Sequence, residues 1–133
     1  FVATGASDCD GAGMRAFLAS HRDKLRGVFF INLESIGAGR LSMVTVEGEQ
    51  QLFKGDRRIM NLVSKVCKSF HVDCGAFEMP YAKTDASRRA LTIAGVDGPR
   101  LACSRTEDDL PYNVNPTNIA TVSEVVTEVI RRS

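Results

Sequence analysis

The residues of this chain that can do chemistry begin at its seventh position. The opening segment FVATGASDCDGAG, Phe1 to Gly13, sets Ser7, Asp8 and Asp10 in a loop between Gly5 and Gly11, after a short apolar run and before a helical pattern. Glu34 and Ser35 close a second apolar run, and Ser104, Arg105, Thr106 and the acids Glu107 to Asp109 follow a later one. Two chemistries suit such a rim, and they require opposite charge. A glycine-rich turn that opens a helix presents backbone N–H groups to a phosphate. Carboxylates at the ends of neighbouring strands, about 4.8 Å apart, converge instead on a divalent cation.

GAGMRA fits the dinucleotide pattern G-x-G-x-x-A, and Glu34 stands about twenty residues beyond it, where a ribose-binding acid belongs. Ala6 to Asp10 nevertheless separate the first strand from the glycines, and Asp8 and Asp10 would face the pyrophosphate. Like charge at such range opposes that ligand, and no G-K-[ST] completes a P-loop. The same acids favour a metal site, with Asp8 and Glu34 as candidate ligands; solvated rim acids or a helix N-cap remain the simpler assignment.

Placing these residues requires alternating elements. Phe1–Thr4 reads as a strand, and Gly13–Leu25 as a helix with Met14, Phe17, Leu18 and Leu25 on one stripe. Val28–Leu33 is a near-continuous apolar run, the signature of a central strand covered on both faces. Leu41–Gly48 is an alternating strand, Asp56–Phe70 a helix, and Cys74–Met79 a strand. Tyr81–Gly95 reads as a short helix, with Thr84 or Asp85 as N-cap and Gly95 as C-cap. Pro99–Ser104 is a last strand, and Thr117–Arg132 is an amphipathic helix started by Pro116. This alternation predicts a single α/β domain over 1–133, a three-layer sandwich with a mostly parallel sheet whose ligands gather beyond the carboxyl ends of its strands.

Composition narrows the function classes. Seventeen basic and sixteen acidic residues give a net charge of +1, too little field to hold nucleic acid or an anionic membrane. No apolar run reaches the roughly 18 residues that span a bilayer, and Phe1 onward lacks a signal-peptide pattern, so a soluble chain is expected. Cys9, Cys67, Cys74 and Cys103 are scattered without a C-x-x-C pair and read as free thiols, which favours the cytoplasm. His21 and His71 read as surface residues.

The order VATGASDCDGAGMRAF, FFINLESIGAG, TDASRRAL and SRTEDDLPYNVN, closed by an amphipathic helix, resembles the dizinc aminopeptidases of peptidase family M twenty-eight, with glutaminyl cyclases as structural cousins. The resemblance implies an α/β/α sandwich, zinc as cofactor, and a peptide or aminoacyl substrate. It sets Ser7 at the family's general base and Asp8 at a zinc ligand, and Glu34 at a second ligand position. Thr84, Asp85 and Ala86 fall on a Ser-Asp-His segment, and Arg105 falls on a ligand histidine. Serine cannot take a proton from metal-bound water at neutral pH, and arginine cannot ligate a cation, which leaves Asp10 as the nearby substitute base. The family's first His and bridging Asp would precede Phe1. The chain is therefore expected to correspond to the C-terminal part of such a domain, without its N-terminal strands. Phe1–Thr4 would then be an exposed sheet edge that pairs in a homodimer. Three functions stay open: a zinc aminopeptidase-like domain that is catalytically incomplete, a noncatalytic peptidase-like binding domain, and a dinucleotide-binding domain.

Overall fold

The computed structural model describes residues 1–85 and 90–133. In chain order these form α1 (Ala12–Ser20), a 3₁₀ turn (Arg22–Leu25), β1 (Phe30–Glu34), β2 (Arg40–Glu47), β3 (Phe53–Lys54), α2 (Arg57–Ser69), β4 (Gly75–Met79), β5 (Ala90–Asp97), β6 (Arg100–Leu101), a second 3₁₀ turn (Pro111–Asn113) and α3 (Pro116–Arg132). Both long helices begin where their caps dictate. Asp56 accepts hydrogen bonds from the Arg58 and Ile59 amides at 2.9 and 3.3 Å, and Asn115 accepts from the Thr117 amide at 2.9 Å ahead of Pro116.

β5 is the axis of the sheet. It runs parallel to β1, from Phe30↔Ala90 to Glu34↔Ala94, and antiparallel to β2, from Arg40↔Val96 to Val44↔Thr92. β4 adds parallel to β2, while the two-residue strands β3 and β6 pair antiparallel with β2 and β5. Three of the five pairings are thus antiparallel, and the expectation of a mostly parallel sheet is corrected to a mixed one. The cause lies in one connection. Only Ser35–Gly39 join β1 to β2, far short of the dozen or so residues that a parallel crossover needs. β2 therefore runs opposite to β1, and β5 enters between them parallel to one and antiparallel to the other.

The layers differ from the expected sandwich as well. Met43, Leu91 and Ile93 pack with Ile59, Val63 and Val66 of α2 and Val125 and Val129 of α3, so both long helices cover one face. A smaller cluster, Val44, Met79 and Ala94 with Phe77, Ala82 and Leu101, contains no helical residue, and α1 buries none of its side chains. Helical cover among the described residues is one-sided.

Three element assignments change. Ala90–Gly95, the second part of the expected helix Tyr81–Gly95, belongs to β5, a strand buried at every position but its last. Its continuous apolar run lacks the alternation that marks a half-buried strand. Gly95 is there for close approach: a Cβ would lie 2.0 Å from the Ala38 carbonyl oxygen. Of the rest of that expected helix, Tyr81–Asp85 is not helical, and Ala86 to Arg89 lie outside the described residues. Phe1–Thr4 forms no strand, and the open edge falls instead on β1, which among the described residues pairs only with β5. β1 is accordingly not central, and Leu33 is 43% exposed. No described helix is long and apolar enough to cross a membrane.

Candidate functional site

Glu34 ends β1 and Glu47 ends the oppositely running β2; the charge of Glu47 reaches Glu34, and their surroundings differ. Glu47, the last residue of β2, is buried. One carboxylate oxygen accepts from the Thr84 amide at 2.7 Å and from the Thr84 hydroxyl at 2.8 Å, and the other accepts from the Thr92 hydroxyl at 2.8 Å. The two threonine hydroxyls lie 3.1 Å apart, and the Asn32 amide of β1 donates to Thr92 at 3.4 Å. Three segments of the chain are thus tied through one carboxylate, and β1 joins them through Thr92; the carboxylate receives the donors that a buried charge requires.

Glu34 ends β1 half-buried. Burial pushes its carboxyl above the ordinary range, and the negative charges of Asp85, Glu47 and Asp8 push it further. Asp85 accepts from the Thr4 hydroxyl at 2.8 Å, which fastens the start of the chain to the segment after β4. Asp8, Glu34, Glu47 and Asp85 therefore share one electrostatic neighbourhood.

The loop carrying Ser7, Asp8 and Asp10 is shaped by left-handed backbone at Ala6, Asp10 and Gly11, with φ of 56, 58 and 63°. Its N–H groups turn inward: Cys9 and Ala12 donate to the Ala6 carbonyl at 3.1 and 3.2 Å, and Gly11 donates to that of Ser7 at 2.9 Å. Gly13 packs so closely on Gly5 that a Cβ would lie 2.2 Å from the Gly5 oxygen. Donors committed to the loop cannot cradle a phosphate, and Asp10 sits beside them. Asp10 pairs with Lys83 and with Arg15, and these two cations hold its carboxyl below the ordinary range, Lys83 first. Ser7 is exposed.

Arg105 donates to Asp8 at 2.7 Å, with both side chains more than four-fifths exposed. The cation at the Asp8 carboxylate is thus a guanidinium. Comparison with known protein families, with curated proteins and with solved structures finds no match to this chain. Among the described residues, no group of three or more His, Cys, Asp or Glu side chains is placed to hold a metal ion. The donor set does not fit zinc: Asp8 is engaged by Arg105, Glu34 resists ionisation, and Glu47 is saturated by threonine.

Sequence reasoning set Asp8, Glu34 and Arg105 after the ends of strands; the structure pairs Arg105 with Asp8 and brings the Asp8 charge within reach of Glu34. Sequence reasoning missed Glu47 and Thr92. The available signal was a glutamate closing an alternating strand immediately before Gly48, in a stretch otherwise apolar enough for a core.

Proposed function

We propose that this chain is a noncatalytic peptidase-like binding domain whose ligand is a peptide. The observation that carries the reading is the Arg105–Asp8 contact at 2.7 Å, in which an organic cation stands where the aminopeptidase resemblance calls for a metal. Asp10, the substitute base, is neutralised by Lys83 and Arg15, and a carboxylate held by two cations is a poor proton acceptor. Without a base the rate loses about 10²- to 10⁴-fold, before any loss from an absent metal. Exposed charges of both signs, Asp8, Arg105, Asp10 and Lys83, remain to meet the termini and amides of a peptide.

The test combines calorimetry, NMR and an activity assay on the 133-residue chain. Titration with the tripeptide Leu-Gly-Gly is expected to shift amides in the Ser7–Gly11 and Arg105–Asp109 loops, without release of leucine and without stoichiometric zinc uptake. Zinc binding tighter than roughly micromolar that disappears in Asp8→Ala, or leucyl-anilide hydrolysis abolished by Asp10→Asn, would return the chain to the aminopeptidases. A spectrum unchanged by the tripeptide sinks the peptide-binding reading itself.

A further inference from the structure

Far from the acidic rim, the end of α2 brings two of the four cysteines together. The helix stops with the Phe70 amide donating to the Val66 carbonyl at 3.0 Å, and the Val72 amide donating to the Cys67 carbonyl at 2.9 Å. His71 between them is left-handed, with φ of 56°. This arrangement of a left-handed residue and a backward-reaching amide reverses the chain over the last helical turn. The six residues Lys68–Asp73 therefore form a closed loop that returns Cys74 to Cys67.

Cys67 is buried in the helix-covered core, and Cys74 packs against that same cluster while remaining half-buried. The two cysteines bracket this closed loop and pack on one cluster, so their backbones are brought together as a disulfide requires. Each thiol also feels the other: Cys74 lowers Cys67, while Cys67 and burial push Cys74 up from the ordinary thiol range. The other two cysteines are placed differently: Cys9 is exposed in the Ser7–Asp10 loop, and Cys103 follows β6.

We propose that Cys67 and Cys74 are an oxidation site, a dithiol that a small-molecule disulfide converts to an intramolecular disulfide joining the last turns of α2 to the start of β4. The pair gives one proton to water, and Cys74, its more accessible sulfur, attacks as the thiolate on one sulfur of the oxidant, whose S–S bond breaks and releases the first thiolate. Cys67 then loses its proton and attacks the Cys74 sulfur, forming the internal bond and expelling the second thiolate. Two protein thiols give up two electrons and two protons, and the oxidant leaves as two thiols.

The experiment treats the folded chain, as wild type and as the Cys9→Ser/Cys103→Ser double variant, with oxidised glutathione, followed by alkylation and mass spectrometry without reduction. The expected result is a mass lower by about 2 Da, two fewer alkylated cysteines, and the tryptic peptide Val66–Lys68 linked to Ser69–Lys83. The oxidised form should also melt several degrees higher, and reduction should restore the original midpoint. The proposal is overturned by a glutathione adduct that persists on Cys74, by both thiols remaining alkylable, or by a link between two chains. Should the double variant not fold, peptide mapping of the wild type alone decides.

Discussion

Glu47 and Asp8 are both carboxylates whose charge reaches Glu34, and they do opposite things. Glu47 is 6% exposed and receives three donors from Thr84 and Thr92, whereas the Asp8 side chain is 86% exposed and meets a single guanidinium. Buried, a carboxylate organises its neighbours, because each donor aimed at it has no water to turn to. Exposed, it exchanges one partner for solvent at almost no cost. The residue that carries structure is thus the one without a conspicuous motif, while the motif acid is free to meet a ligand.

Breaking the buried member should have the largest effect. Glu47→Ala removes the acceptor shared by the Thr84 amide and the Thr84 and Thr92 hydroxyls and is expected to cost about 3 kcal/mol, a fall of about 12 °C in the melting midpoint. Glu47→Gln, which keeps one acceptor oxygen, should lose about half as much by the same measurement. A loss equal to that of an exposed site would erase the contrast.

Glu34 lies between the two extremes and reports through pH. Its carboxyl is raised above the ordinary value near 4.5, by burial first and by Asp85, Glu47 and Asp8 next, so the folded chain holds a proton that the unfolded chain releases. Its contribution is therefore complete below pH 4.5 and is lost as pH rises through the higher folded value. Denaturation curves should show Glu34→Gln more stable than wild type at pH 7, with the advantage gone at pH 4. An advantage independent of pH would mean that the negative neighbours are not felt.

The smallest effect belongs to Asp8 and Arg105. Asp8→Ala, Arg105→Ala and the double variant should melt with the wild type, and the cycle should show no coupling at the roughly 0.15 M salt where exposed charges are screened. Measurable coupling there would make the pair structural and remove the ground for assigning it to ligand binding.

How much of this was legible follows from periodicity and charge. α2 and α3 announce themselves because one stripe is apolar and the rest polar, and Asp56 and Pro116 mark their starts. β2 and β4 fall where the sequence puts them. β5 hides because burial on both faces removes the period that distinguishes strand from helix. The mixed sheet hides for a different reason: the five-residue link Ser35–Gly39 is readable, but which strand fills the gap it leaves is decided by tertiary pairing. That Arg105 would pair with an acid could be expected from its charge, but not whether Asp8 or Glu34 would be the partner. The bonds of Glu47 could not be expected, because its donors come from residues 37 and 45 positions further along.

The central position of β5 has a consequence for the chain as it is made. β1 is complete at Glu34, yet the strand that covers it ends at Asp97, 63 residues later. At roughly 5–20 residues per second, a ribosome takes about 3–13 s to supply that partner. During those seconds Phe29, Phe30, Ile31 and Leu33 are an apolar ribbon with open hydrogen-bonding groups, the stretch of a nascent polypeptide that holding chaperones are suited to shield.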